Sequence, residues 1–132
     1  MPELMASEDM SQSIICERAF EFASRILKLS ERLWSRGPAA RLIASQLMDA
    51  GTSIGSNAEE AQEGQSKADY IAKMAISRKE ARESRYWLRL ALKNEIATAK
   101  EITWELREAN ELLAMIISAI RTAQSSQNRG DR

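Results

Sequence analysis

The chain has 132 residues, 44% of them hydrophobic and 29% charged, with 19 Lys+Arg balanced by 19 Asp+Glu. That length fits one domain with a modest core, and the charge balance excludes any global attraction to nucleic acid or anionic lipid, so such attraction has to come from local patches. There is no histidine and a single cysteine, Cys16, which excludes an internal disulfide, a Ser-His-Asp triad, a Cys-His pair and the Glu-x-x-His ligands of di-iron bundles.

No Walker-type loop and no GxGxxG is present, and one thiol with carboxylates makes a poor zinc site. No catalytic residue, cofactor or metal is therefore expected. Cys16 reads as a small residue in or near the core rather than as a reactive thiol, and a lone thiol agrees with a reducing cytoplasm, the expected location. The acidic start, MPELMASEDMSQ, lacks the basic region and apolar run of a signal peptide. No apolar stretch approaches about 20 residues, so no membrane span is expected.

Residues 1–11 show no apolar face and are expected to form a disordered arm. From about Gln12 to Ser35 the apolar residues Ile15, Ala19, Phe22, Ile26, Leu29 and Leu33 follow steps of 4, 3, 4, 3, 4, a heptad seam. Phe20, Ala23, Leu27 and Trp34 widen that seam to a globular face. Arg36-Gly37-Pro38 ends the segment, since Gly suits a helix C-terminus and Pro blocks continuation.

A second helix opens at Pro38, a good first-turn residue, and is expected to stop near Gly64. Its spine is Ile43, Leu47, Ala50, Ile54, Asn57 and Ala61. The third opens with Ser66 as cap and Asp69 three residues on, and runs to about Lys93-Asn94. Its spine is Tyr70, Met74, Ser77, Ala81, Ser84, Leu88 and Ala91, half of it small. The fourth opens with Thr98 and Glu101, a capping box, over the spine Ile102, Leu106, Ala109, Leu113, Ile116 and Ile120. From Ala123 onward no apolar face continues, so 123–132 is expected to be a disordered tail. Four amphipathic rods over 12–122 joined by short turns predict an all-α, antiparallel up-down four-helix bundle.

Gly51 and Gly55 stand one turn apart inside the second segment, where each costs about 0.5–1 kcal/mol against Ala. The bundle supplies a reason. Together with Ile54 they form a low ridge, and Ser77, Ala81 and Ser84 offer a matching low stripe on the third segment, so the two helices are expected to pack at short range. Asn57 has two readings: a seam residue that fixes register, or an edge residue bonded to solvent.

The run Ser53-Ile54-Gly55-Ser56-Asn57, then Glu60, then Ser66-Lys67-Ala68-Asp69-Tyr70, resembles the bacterial four-helix-bundle family first noticed in intervening sequences of large-subunit ribosomal RNA genes. The likeness continues through Lys79-Glu80-Ala81-Arg82-Glu83-Ser84-Arg85-Tyr86-Trp87-Leu88 and covers most of the chain, from about Phe20 to Ile120. Gly55 stands where the family motif has Pro, and Ala61 where it has Gly. The resemblance implies a non-enzymatic bundle. It also implies kinship with the accessory variability determinant of diversity-generating retroelements, whose five-fold barrels engage nucleic acid and a reverse transcriptase.

Charge adds two competing expectations. Arg78, Arg82, Arg85, Arg89 and Lys93 form one stripe on the third segment, in a stretch with eight basic and three acidic residues. Either the stripe meets phosphates of RNA or DNA, or it meets an acidic stripe such as Glu101, Glu105, Glu108 and Glu111, in this chain or in another copy. The second is preferred, because Glu80 and Glu83 interrupt the basic face. Glu59, Glu60 and Glu63 read as a solvated helix end before a cation site or the dock of a basic partner. Trp87 and Trp104 are either interface anchors or members of a wide core face. The preferred function is a homo-oligomeric structural or adaptor module, a pentamer by resemblance, whose partner is a second copy of itself. The alternative is a nucleic-acid-binding accessory protein using the basic stripe.

Overall fold

The computed structural model describes residues 2–129, with side chains from residue 8 onward. Four helices follow in order: α1 (Pro2–Trp34), α2 (Pro38–Gln62), α3 (Lys67–Lys93) and α4 (Ala99–Asn128), with no strand among the described residues. They form an antiparallel up-down four-helix bundle. Sequence neighbours pack side by side, α1 also packs on α4, and the diagonal pair α1 and α3 meets through side chains of Gln12 and Tyr70. The α1–α4 contact is the sparsest of the four.

Local chemistry sets most of the boundaries. Gly37 takes φ 114°, a backbone that side chains rarely adopt, and hands over to Pro38 at the first turn of α2. Ser66 Oγ accepts from Asp69 N–H at 3.1 Å to start α3. At α4, Thr98 Oγ1 accepts from Glu101 N–H at 3.2 Å while the Glu101 carboxylate accepts from Thr98 N–H at 3.4 Å, a complete capping box. α3 ends in a Schellman motif: Ile96 N–H reaches Ala91 O at 2.9 Å and Glu95 N–H reaches Leu92 O at 3.1 Å. The left-handed residue there is Glu95, at φ 58°, where Gly is usual.

The two terminal helices are longer than the apolar spacing predicts. The reading of 1–11 as an arm gives way to helix from Pro2, because residues 3–11 hold no Gly or Pro and Pro2 suits a first turn. The reading of 123–132 as a tail gives way to helix through Asn128, and Ala123 is buried. Met1 and residues 130–132 lie outside the described residues.

The core is one cluster filled by Phe22, Ile26, Leu29, Leu47, Ile54 and Met74 with Leu88, Ile102, Leu112 and Ile116. Gly51 and Gly55 are buried, but their low ridge faces α1, not α3. A Cβ at Gly51 would stand 2.8 Å from Ile26 Cγ2, and one at Gly55 would stand 3.2 Å from Ala19 Cβ. The ridge lies on the flank of α2 turned toward α1, continuous with Ala44 and Ala58. The close approach of α3 to α2 is made instead by Ser77, whose hydroxyl donates to Ile54 O at 2.8 Å. Ala81 and Ser84 are buried on the same stripe, and Ser84 donates back to Glu80 O within its own helix. Asn57 is half-buried and donates to Ser53 O, one turn back along α2, so its amide serves its own helix.

One buried polar knot ties three helices. Gln12 on α1 donates to Ala58 O on α2 at 3.0 Å and accepts from the Tyr70 hydroxyl on α3 at 2.6 Å. Burial, the main cause, pushes the Tyr70 phenol up to about 12.

Candidate functional site

The seam between α1 and α4 is electrostatic. Arg18 donates to both oxygens of Glu108, at 2.8 and 2.7 Å, and to Glu111 at 2.5 Å. Arg36 holds Glu101 by two bonds of 2.8 and 2.7 Å, with Arg32 at 3.6 Å. The Arg36 hydrogen bonds hold the Glu101 carboxyl below its ordinary range. Arg25 lies 4.1 Å over the ring of Trp104, which also stacks against Phe22. Glu105 is 4% exposed and holds no ion pair among the described residues. The acidic stripe of α4 is therefore taken by α1, which corrects the expected pairing with the basic stripe of α3 inside the chain. The two stripes lie on opposite flanks of their helices.

The basic stripe stays open. Arg85 donates to Asn110 Oδ1 on α4 at 3.2 Å, which places the stripe along the outer groove between α3 and α4. Arg78, Arg82, Arg89 and Lys93 make no ion pair among the described residues; Arg82, Arg89 and Lys93 are exposed and Arg78 is half-buried. On α4, Arg121 shares the stripe of Asn110, Ala114 and Ile117, with steps of 4, 3, 4. Tyr86 stands beside Arg82 and Arg89, 53% exposed, with its ring edge-on to Trp87 at 5.2 Å.

Large apolar side chains lie on the outside of α1. Phe20 is 72% exposed, Leu27 43% and Trp34 48%. Their spacing of seven puts them on one face, and that face is not the core face to which the sequence assigned them. Phe20 sits in an open depression with Cys16, Glu17, Glu59 and Glu63, and those three carboxylates make no ion pair among the described residues. A second depression joins Trp34 and Glu31 to Ser30 and to Met48 of α2. The Cys16 thiol is pushed up, first by burial and then by Glu59. Glu60 of the same acidic run pairs with Lys73 at 3.0 Å. Among the described residues no three His, Cys, Asp or Glu side chains are grouped to hold a metal, and no helix is long and apolar enough to cross a membrane. Trp87 and Trp104 are half-buried against the core, whereas Phe20, Leu27 and Trp34, not singled out as anchors, are exposed. Sequence reasoning also missed the seam ladder, although Arg18, Arg25 and Arg32 stand seven apart, as do Glu101 and Glu108.

Residues 11–118 match the model of the 23S rRNA-intervening sequence protein family. The chain belongs to that family. Among solved structures it is similar to a protein of unknown function from the S23 ribosomal protein family of Bacteroides thetaiotaomicron. That similarity has 33% identity and a TM-score of 0.78 over 84% of this chain and 98% of that one. A search of curated proteins finds no match. The 23S rRNA-intervening sequence match spans the Ser53–Glu60 motif, all of α2 and α3, and most of α1 and α4.

Proposed function

We propose that this 23S rRNA-intervening sequence family member is a non-enzymatic, homo-oligomeric helical-bundle protein with a structural or adaptor role in the cytoplasm. The observation that carries the reading is the row Phe20, Leu27 and Trp34, turned to solvent along one face of α1. Burying one such side chain stabilises by about 1.5–3 kcal/mol, and contiguous exposed apolar surface marks association sites. The resemblance to the retroelement accessory protein supports a pentamer as the specific form. Light scattering at tens of micromolar tests the reading: a mass several times 14.8 kDa is expected, and a clean monomer ends it.

A second reading rests on the open α3–α4 groove, where unpaired arginines flank an exposed tyrosine. Arginine suits bidentate phosphate contact and an aromatic face suits base stacking, so an accessory role on RNA or DNA fits that groove. A titration with single-stranded RNA checks it. Binding should weaken with salt, with a log–log slope of about −0.7 per phosphate neutralised, and an Arg82→Glu/Arg89→Glu variant should bind less. Equal, negligible binding by wild type and variant removes this reading.

A further inference from the structure

The bundle carries complementary faces on opposite sides. The outer groove of α1 and α2 presents Phe20 among Glu17, Glu59 and Glu63. The outer groove of α3 and α4 presents Arg78, Arg82 and Arg89 beside Tyr86. The four helices are arranged in cyclic order, each backbone packed on its two neighbours, so these grooves face away from each other. The two patches are offset along the bundle: Glu63 caps the end of α2 and Glu60 pairs with Lys73, beside the first turns of α3, whereas Arg82, Tyr86 and Arg89 stand further along that helix. The acids of α4 cannot serve as the complement of the basic stripe, because arginines of α1 and of the turn after it already hold Glu101, Glu108 and Glu111.

We infer that the acidic, apolar α1–α2 groove of one copy docks on the basic, aromatic α3–α4 groove of the next, with Phe20 and Tyr86 at the centre of the contact and Glu17, Glu59 and Glu63 against Arg78, Arg82 and Arg89. This rests on the homo-oligomer reading above and names its faces. Each copy uses two different surfaces, so the contact is head-to-tail. Because the patches are offset along the bundle, docking shifts each copy along its neighbour. The partner is a second copy because the two faces of one chain match each other in charge and in apolar content. The apolar centre supplies area while the flanking charges set orientation and exclude other registers.

Charge reversal with exchange tests the pairing. A Glu17→Arg/Glu59→Arg variant has two basic faces, and an Arg82→Glu/Arg89→Glu variant has two acidic faces. All four positions are exposed, so helical circular dichroism should match wild type. Each variant alone should run as a 14.8 kDa monomer where wild type assembles, and an equimolar mixture should recover assembly as alternating species with equal numbers of both variants, not as a pentamer, since each basic face then finds an acidic one. If wild type is monomeric, the homo-oligomer reading falls and this inference with it. If wild type assembles and the variants keep its mass, or their mixture stays monomeric, the face assignment alone is overturned. Loss of RNA binding by the α3 variant with unchanged mass also overturns it, assigning the basic groove to phosphate.

Discussion

Single atoms decide several properties of this chain. At Gly51 a methyl group would press on the Cβ, Cγ1 and Cγ2 of Ile26 at 2.8–3.1 Å, and the buried, β-branched Ile26 has no free rotamer to retreat to. Gly51→Ala should therefore lose about 1–3 kcal/mol to overpacking despite the better helix propensity of Ala, as read by denaturant unfolding. Gly55→Ala, against Ala19 at 3.2 Å, should cost less. Ser30 points the other way. Its hydroxyl is fully buried and has no hydrogen-bond partner, a defect worth about 1–3 kcal/mol. Ser30→Ala should stabilise by about 1 kcal/mol on the same measurement.

At the scale of the helices, the α1–α4 seam is held by few packed side chains and several charged bonds. Arg18→Ala leaves Glu108, 8% exposed, without its cation and should cost about 1–3 kcal/mol. Arg82→Ala removes an exposed charge without a partner and should stay within about 0.5 kcal/mol. Parallel denaturation curves of the two variants give the comparison directly. The helices themselves were legible because their signals are local. Pro38, Ser66 and the Thr98–Glu101 pair act within one turn, and the heptad spines repeat often enough to fix the buried stripe. What spacing cannot supply is the neighbour. It placed Gly51 and Gly55 on a buried face of α2 without saying which helix that flank meets, and α1 rather than α3 fills it. The same limit applies to Glu101, Glu108 and Glu111, whose cations come from α1 and the turn after it, 65–93 residues earlier. Phe20, Leu27 and Trp34 were misjudged for a related reason. They lie at the edge of the apolar arc of α1, and an arc wider than one neighbour can cover reads the same whether a core or a second molecule is meant to cover it.

For the whole molecule, pH titrates the bundle from both ends. Glu101 has a folded value below its ordinary 4.5 because Arg36 bonds the carboxylate. Its contribution is present above that ordinary value and is lost as pH falls through the lower folded value. Glu80 works in the opposite sense: burial and Glu83 raise its carboxyl, so it favours the folded state in acid and loses that advantage as pH rises. Tyr70 has a folded value of about 12 against an ordinary 10.0. Its contribution is complete below pH 10 and disappears as pH rises through about 12, when the phenol gives up the proton it donates to Gln12. Thermal melts across pH should fall on the alkaline side over that interval, and Tyr70→Phe should make that fall shallower.

A chain whose positive and negative charges are equal in number is commonly treated as electrically quiet, but among its described residues this one leaves unpaired acids Glu17, Glu59 and Glu63 on one wall and unpaired arginines Arg82 and Arg89 on the other. Its first electrical moment is then a dipole across the width of the rod, not a net charge. Near its isoelectric point of about 6.4 such a molecule offers one wall to a cationic resin and the other to an anionic one, and both should retain it. Added electrolyte shortens the reach of those walls to about 10 Å at 0.1 M, so salt should release it from either column.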